Sequence, residues 1–271
     1  MNKRRDGYHA IETLFERLDI GDTIYLDSIS SGIELKVHGD EKIPGDSTNL
    51  AWRAAKLLQE SCGVRHGIRI RILKRIPVAA GLGGGSSNAA TVLLGLNWLW
   101  NLRLSKKKLM TLGLKLGSDV PFFVLETSLA LGRGRGEILR KISKPKRRLW
   151  HVLIKPLFGI STKEAYEGFK APFLTLPKAD VRMLLHSIQK GDLKALSKLL
   201  TNSLELALNK RVRTILKIKK KLVDEGAFTA LLSGSGSCVF GLFASKHEAQ
   251  KAARRLERSH KNWKVFVAST Y

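Results

Sequence analysis

The sequence predicts a two-domain α+β fold, and three observations support this prediction. The chain has 271 residues, which is enough for two domains of roughly 100–150 residues each. Strand-like and helix-like apolar patterns mix along the chain without a regular βαβ rhythm. The basic, proline-containing segment from Lys144 to Arg148 is the most linker-like stretch. We therefore expect an N-terminal domain over residues 1–145 and a C-terminal domain over residues 146–271.

Composition and charge narrow the class of protein. The chain is 44% hydrophobic and 26% charged, as folded globular proteins are. Its 48 Lys and Arg residues exceed its 23 Asp and Glu residues, and the resulting charge of +25 favours phosphorylated or polyanionic partners. With only Cys62 and Cys238, neither a disulfide framework nor a zinc site of clustered Cys and His is expected. The basic start lacks an apolar signal-peptide segment, and glycines interrupt the uncharged stretch 76–102, so we expect a cytoplasmic protein without a membrane span.

Apolar periodicity and turn residues define the elements of the N-terminal half in order. Ile33, Leu35 and Val37 alternate with other residues as in a strand, and Gly45–Asn49 is a turn cluster that can cap a helix. The isoleucines of residues 68–72 alternate with arginines, which is the pattern of a half-buried strand. The predicted elements are strands within 24–37 and 68–72, and helices over about 50–60, 86–98 and 105–116.

The C-terminal half contains a long amphipathic region between shorter strands. Apolar residues at helical spacing indicate helix within about residues 179–225. Around it we expect a strand over 150–154, a strand–loop–strand over 228–243, a helix over 246–259 and a last strand over 263–268.

The strongest functional signal is the glycine-rich segment from Pro77 to Ala90. Glycines let backbone N–H groups close around phosphate oxygens, and a helix beginning near Ser86 adds the positive end of its dipole. A turn for tight strand–helix packing is the alternative, but three glycines followed by two serines favour phosphate. A Walker loop is excluded because no lysine occurs between Lys74 and Lys106. A dinucleotide fingerprint is excluded because Ser86 stands where it requires glycine, and no acid follows some 20 residues on.

Asp119 is the first carboxylate after this segment, because residues 61–118 contain no Asp or Glu. Its position before Val120 and Pro121 suits a helix N-cap. It could equally accept the proton of a substrate hydroxyl, or orient that hydroxyl, in phosphoryl transfer. The two roles are compatible.

Two further features are ambiguous on their own. The small-residue loop Ser233–Cys238 is as consistent with a hairpin as with a ligand loop. Tyr8 and His9 could stack on and hydrogen-bond a nucleobase, although a packing role is the simpler interpretation.

The order of these features resembles the GHMP kinase superfamily over essentially the whole chain. The segments that carry the resemblance are Arg5–His9, Asp46–Leu50, Lys74–Ala90, Leu116–Pro121 and Ser233–Ser237. The resemblance implies an N-terminal domain like domain 2 of ribosomal protein S5 and a ferredoxin-like C-terminal domain. It also implies an ATP-dependent kinase of the non-mevalonate isoprenoid pathway, with Mg²⁺ bridging the phosphates and a cytidine diphosphate-linked methylerythritol as the small-molecule acceptor.

The resemblance assigns roles to particular residues. It makes Asp119 the catalytic carboxylate and puts Lys74 and Asn49 near the adenosine. Tyr8 and Tyr166 would sandwich the cytosine ring, and His9 would hydrogen-bond its edge. The residues that would hold the ATP phosphates are Pro77, Val78, Ala79, Ala80, Gly81, Leu82, Gly83, Gly84, Gly85, Ser86 and Ser87, and those that would close over phosphates and substrate are Ser233, Gly234 and Ser235.

Two alternatives remain at this point. The chain could be a GHMP kinase for another small alcohol, which the nucleobase dependence of the acceptor would reveal. It could also bind nucleic acid through basic segments such as 106–108, 144–148 and 210–221, although these also suit solvated surfaces and the sequence does not favour nucleic acid as the primary partner. The sequence does not define an oligomeric state.

The start of the chain departs from the family pattern. Members of the family begin with a strand bearing a Ser/Pro-Ala-Lys-Asn-Leu motif, whose lysine works beside the aspartate, about 15 residues before Gly-Tyr-His. Here only Met1–Asp6 precede Gly7. The resemblance therefore leads us to expect that this sequence lacks that strand and lysine, that it is weakly active as given, and that its reading frame extends upstream.

Overall fold

Strands and helices follow one another in the irregular α+β order that the sequence predicts. The computed structural model describes residues 2–3, 9–167, 180–208 and 211–271. The strands are β1 (Asn2–Lys3), β2 (His9–Glu16), β3 (Thr23–Ile29), β4 (Ile33–His38), β5 (Gly67–Leu73), β6 (Leu129–Gly134), β7 (Ile138–Ile142), β8 (Trp150–Pro156), β9 (Thr229–Leu232), β10 (Val239–Phe243) and β11 (Trp263–Ser269). The helices are α1 (Leu50–Cys62), α2 (Gly84–Leu99), α3 (Lys106–Leu116), α4 (Val120–Leu125), α5 (Thr162–Glu167), α6 (Val181–Lys190), α7 (Leu193–Leu199), α8 (Val212–Asp224) and α9 (Lys246–Ser259), with a 3-10 helix at Ser203–Ala207.

The first of two compact units comprises the described residues 9–78 and 83–141 and is called the N-terminal unit here. Its central strand β5 pairs antiparallel with β3 and parallel with β4, so that Ile70 lies opposite both Leu26 and Leu35. The predicted strands within 24–37 therefore flank β5 instead of pairing with each other. Strands β2, β6 and β7 are neighbours in a second sheet. Isoleucines of β5 share a buried core with α1 and α2, which include Leu58 and Leu93.

The second unit, called the C-terminal unit, comprises the described residues 2–3, 79–82, 142–167, 180–208 and 211–271. Its sheet has the order β11-β8-β10-β9, and all three pairings are antiparallel. Leu153 of β8 lies opposite Phe240 and Phe266. Apolar residues of α8 and α9, among them Ile218 and Leu256, complete the core beside β8 and β10.

Most predicted elements are confirmed, and their bounds differ where turn residues intervene. Helix α9 has the bounds that the sequence predicts, whereas α2 begins two residues earlier, at Gly84. The predicted helical region 179–225 is divided, because Gly191 adopts a left-handed conformation (φ +69°) after α6 and Asp192 caps α7. The functional domain boundary at 145/146 stays a prediction.

Candidate active site

The glycine-rich segment is divided between the two units. Ala79–Leu82 belongs to the C-terminal unit, whereas Pro77, Val78 and the residues from Gly83 onward belong to the N-terminal unit. Different interactions hold the two parts.

In the C-terminal unit, the loop Ser233–Cys238 is hydrogen-bonded to the first part of the glycine-rich segment. The Cys238 amide donates to the Ala80 carbonyl over 3.0 Å. The Ser233 hydroxyl donates to the Gly81 carbonyl over 2.9 Å. The structure thus brings together two small-residue segments that lie about 150 positions apart in the sequence.

Gly81 is the residue at which these two segments come closest. It has a left-handed backbone conformation, with φ +70°. A Cβ atom at this position would overlap the Ser233 carbonyl oxygen and lie 2.7 Å from the Gly236 nitrogen. Gly234 also has a positive φ, and a Cβ there would lie 3.1 Å from the Gly81 oxygen. Only glycine at position 81 satisfies both the conformation and the spacing.

In the N-terminal unit, the second part of the segment forms the start of α2. Gly83 occupies the N-cap position with φ +64°, and it offers no side chain to cap the helix. The first backbone amides of this 16-residue helix therefore donate no hydrogen bond to an N-cap side chain. The positive end of the helix dipole lies at the same amides. The Phe123 ring closes one side, 3.0 Å from where a Cβ of Gly83 would lie.

A buried ion pair lies beside this helix start. The Lys74 ammonium donates to Asp22 Oδ2 over 2.7 Å and to the Ile76 carbonyl over 2.6 Å. The side chains are 10% and 1% exposed. Asp22 Oδ1 also accepts the Arg75 and Ile76 amides, at 2.7 and 2.9 Å. Because a Cβ on Gly84 would lie 3.0 Å from the Lys74 nitrogen, the pair holds a cation next to the first turn of α2.

Sequence reasoning missed Asp22. It lies in the connection before β3, three positions after Asp19, and 52 positions separate it from Lys74. Nothing in its local pattern distinguishes it from a surface turn residue, so only the tertiary structure reveals the pair.

Asn49 has a structural role in this unit. Its side chain caps α1, because Oδ1 accepts the Ala51 amide over 3.0 Å while Nδ2 donates to the Pro44 carbonyl over 2.9 Å. The next residue, Leu50, is 3.6 Å from where a Cβ of Gly85 would lie, so the start of α1 is near the start of α2. The role of Asn49 near adenosine stays a prediction.

Asp119 occupies the N-cap position of α4, but its side chain forms no capping hydrogen bond. The residue is half-buried. Within the described part of the chain its carboxylate has no hydrogen-bond or ion-pair partner, and burial raises the pKa of this carboxyl above its usual range. The preceding turn meets the glycine-rich segment, because Ser86 Oγ is 3.9 Å from where a Cβ of Gly117 would lie. Capping therefore does not explain this carboxylate.

Tyr166 lies on α5 in the C-terminal unit. Arg211, which sequence reasoning considered only as part of the basic segment 210–221, donates to the Gly159 carbonyl (2.9 Å) and pairs with Glu164 of α5 (2.8 Å). The Thr162 hydroxyl at the start of α5 is 3.4 Å from the Ser235 hydroxyl. The structure thus places the Tyr166 helix beside the Ser233–Cys238 loop.

The other predicted acceptor-binding residues are only partly described. Tyr8 lies outside the described residues. His9 is the first residue of β2, and its side chain lies outside the described part. Among the described residues, no group of three or more His, Cys, Asp and Glu side chains could hold a metal ion. Of the helices described, none combines the length and apolarity needed to cross a membrane.

The fold and the glycine-rich segment define a kinase class, and comparison with known proteins agrees. The N-terminal domain of GHMP kinases matches residues 49–127, and the C-terminal domain of GHMP kinases matches residues 184–262. A 4-diphosphocytidyl-2-C-methyl-D-erythritol kinase of Pelotomaculum thermopropionicum is 43% identical over 100% of this chain and 93% of its own length. One of the same name from Alkaliphilus metalliredigens is 40% identical over 96% of this chain and 89% of its own.

Solved structures agree with this assignment. The crystal structure of a 4-(cytidine 5'-diphospho)-2C-methyl-D-erythritol kinase matches with a TM-score of 0.83 and 32% identity, over 98% of this chain and 92% of its own. A homoserine kinase of Cytophaga hutchinsonii, at 20% identity, shares the fold with a TM-score of 0.76, over 95% of this chain and 88% of its own.

The chain belongs to the GHMP kinase family, in the branch whose curated members are named 4-diphosphocytidyl-2-C-methyl-D-erythritol kinase. The family resemblance and the predicted two-domain α+β kinase fold are thereby confirmed. Because the family is one of kinases, ATP is a substrate.

Proposed function

We propose that the chain transfers the γ-phosphate of ATP to the 2-hydroxyl of 4-diphosphocytidyl-2-C-methyl-D-erythritol, a step of the non-mevalonate isoprenoid pathway. One observation carries the chemical part of this proposal. The Asp119 carboxylate is half-buried, has no described partner, and follows a turn that meets Ser86 at the start of α2. A carboxylate without a structural partner beside a phosphate-binding helix start suits a hydroxyl nucleophile.

In this proposal the acceptor oxygen bonds to the γ-phosphorus while the bond from that phosphorus to the β–γ bridging oxygen breaks, giving ADP. Asp119 orients the hydroxyl and accepts its proton, or passes it to solvent. Pro77–Ser87 binds the phosphates, with the backbone amides that follow Pro77 as donors, and the Lys74 ammonium, which Asp22 holds next to Gly84, lies near the adenosine. These groups favour the transition state because phosphoryl transfer depends mainly on positioning and charge stabilisation.

Mg²⁺ belongs to the same proposal. The oxygen donors at the start of α2 are the hydroxyls of Ser86 and Ser87, and oxygen is the ligand type that Mg²⁺ prefers. This small set fits an ion that takes most of its remaining ligands from phosphates and water. When bound, the ion would neutralise charge on the phosphate oxygens.

The acceptor half of the proposal rests on the aromatic residues and on the named relatives. Tyr166 lies on a helix that Arg211 and Glu164 hold beside Ser235. We propose that Tyr166 and Tyr8 sandwich the cytosine, that His9 hydrogen-bonds its edge, and that Ser233, Gly234 and Ser235 close over the substrate. A cytoplasmic location is part of the proposal, because Cys62 and Cys238 are both free thiols.

A phosphotransfer assay with a panel of acceptors tests this function. The panel contains 4-diphosphocytidyl-2-C-methyl-D-erythritol, the same alcohol phosphate without cytidine, homoserine and mevalonate, each with ATP and Mg²⁺. We expect turnover only with the cytidine-bearing alcohol. Equal rates with homoserine or mevalonate would overturn the acceptor assignment and favour a GHMP kinase for another small alcohol.

A further inference from the structure

The outward face of α9 carries a row of cations that the kinase reaction does not use. Lys251, Arg254 and Arg258 are all exposed and are separated by three and four positions. At 100° per residue this spacing puts them within a narrow arc of the helix surface. Exposed Lys261 follows just after the helix ends.

The buried residues on the opposite side of α9 show that this row of cations faces solvent. Ala249, Ala252 and Leu256 are buried in the core of the C-terminal unit. Their positions around the helix are centred roughly half a turn away from the cations. The two acids of the helix, Glu248 and Glu257, lie on its flanks. We call Lys251, Arg254 and Arg258 the cationic row. It faces solvent, and neither acid of the helix lies within it.

Within the described residues, helices α3 and α8 combine paired cations with unpaired ones such as Lys107 and Arg213, whereas all three members of the row are unpaired. In α8, Lys219 pairs with Glu205 and Lys220 pairs with Asp224, and in α3 Lys106 pairs with Glu126. Among the described residues, none forms an ion pair with any member of the cationic row. Like charges three or four positions apart destabilise a helix by a few tenths of a kcal/mol per pair. Glu248 and Glu257 lie three positions from Lys251 and Arg254 and offset part of this repulsion, as does the helix dipole at Arg258. Because no described acid forms an ion pair with the row, its three cations are available to an external anion.

We propose that the outward face of α9 binds the phosphate backbone of RNA, as a property additional to the kinase activity. Neighbouring members of the row have Cβ atoms about 5–6 Å apart, which presents a line of charges to a line of phosphates. Arginine forms bidentate contacts with phosphate, and two of the three cations are arginines. An anionic membrane fits less well, because the apolar face of α9 is buried in the core and cannot enter a bilayer. This proposal leaves unchanged the expectation that nucleic acid is not the primary partner.

The test measures binding of an unstructured polyuridine RNA to the full chain over a series of salt concentrations. The variant is Lys251→Gln/Arg254→Gln/Arg258→Gln, which keeps helix-forming side chains. If all three cations contact phosphates, the slope of log K against log salt falls in magnitude by about 2, and affinity at physiological salt falls roughly 10–100-fold. Kinase turnover and the melting temperature should stay near those of the unaltered chain, which separates this result from any failure of the proposed function.

A matched control decides whether position or total charge matters. Lys107→Gln/Lys108→Gln/Lys115→Gln removes three exposed cations from α3, and within the described chain none of these forms an ion pair. We expect this control to change the slope by less than about 1. Equal losses in the two variants, or no binding of RNA by the unaltered chain, would overturn the proposal. Binding to phosphatidylglycerol vesicles but not to RNA would also overturn it, in favour of a membrane surface.

Discussion

The two parts of the glycine-rich segment are held by different forces. Ala79–Leu82 is held by hydrogen bonds that its own carbonyls accept from the Ser233–Cys238 loop. The part that begins at Gly83 opens a helix, and beside it lies the buried pair of Asp22 and Lys74. The packing of the first part therefore requires residues with small or no side chains, whereas the second part requires the charged pair beside it.

This difference predicts which substitutions each part tolerates. In Ala79–Leu82, where backbone atoms pack against backbone atoms of the Ser233–Cys238 loop, a glycine-to-alanine substitution should be damaging because it adds a methyl group. Where a cation is held beside a helix start, the removal of one charge should be damaging even if the shape is kept. Of four experiments, ordered from the largest expected effect to the smallest, those at Gly81 and Asp22 test that distinction, and the other two concern the Asp119 carboxylate.

Asp119→Asn should produce the largest loss, because it removes charge with almost no change in shape. We expect turnover to fall by roughly 10²–10⁴-fold while ATP affinity is nearly retained. Steady-state kinetics and ATP titration of the folded variant provide the measurement. Asp192→Asn is a matched control, because Asp192 does cap its helix by accepting the Ala195 amide. Unchanged turnover in Asp119→Asn would show that this carboxylate takes no part in the reaction.

Gly81→Ala should break the backbone-packed part. The left-handed conformation and the overlap with the Ser233 carbonyl together should lower the free energy of unfolding by about 2–5 kcal/mol. Gly85→Ala is the counterpart in the helix, where the added atom would meet Leu50 at an ordinary 3.6 Å. Alanine favours helix there, so stability should be unchanged or slightly higher. Chemical denaturation compares the two, and similar losses would contradict the distinction between them.

Asp22→Asn should affect only the part of the glycine-rich segment that begins at Gly83, because it removes one charge of the buried pair beside it. Without the carboxylate the Lys74 ammonium loses its charged partner, and KM for ATP should rise by roughly 10-fold while kcat changes less. Lys74→Met should give a similar rise, and the double variant should be less than additive because the two residues act as one pair. Asp27→Asn, which breaks the exposed pair with Arg71, is the control and should leave KM for ATP unchanged. Additive effects would argue against a joint role.

The pH dependence of the free energy of unfolding is the smallest expected effect, and its direction follows from the raised pKa of Asp119. Burial raises the pKa of Asp119, so the folded chain holds this proton more tightly than the unfolded chain does. The stability from this group is fully present below its unfolded pKa and is lost as pH rises through the raised folded pKa. Turnover should rise over the same range, because the reaction needs the carboxylate. Thermal unfolding across pH should show that Asp119→Asn lacks this loss and is the more stable protein at neutral pH; a less stable variant would contradict the account.

The parts of the site that have a recognisable local sequence pattern could be predicted from the sequence. A run of glycines before a helix, and a single acid between a turn and an apolar run, are visible without any structure, and the structure brings the segments of Ser86 and Asp119 together. Asp22 and Arg211 were not predictable, because their partners lie far away in the chain and depend on tertiary packing. The break at Gly191 was missed for a different reason, since the flanking apolar residues keep a helical spacing across it.

Locating the transferred phosphate tests the central claim most directly. The chain is incubated with ATP, Mg²⁺ and 4-diphosphocytidyl-2-C-methyl-D-erythritol, and the product is analysed by phosphorus and carbon NMR. We predict one new phosphate, coupled to the tertiary carbon that bears the 2-hydroxyl, with one ADP formed for each product molecule. A phosphate on a different oxygen, or ADP released without a phosphorylated acceptor, would contradict the account.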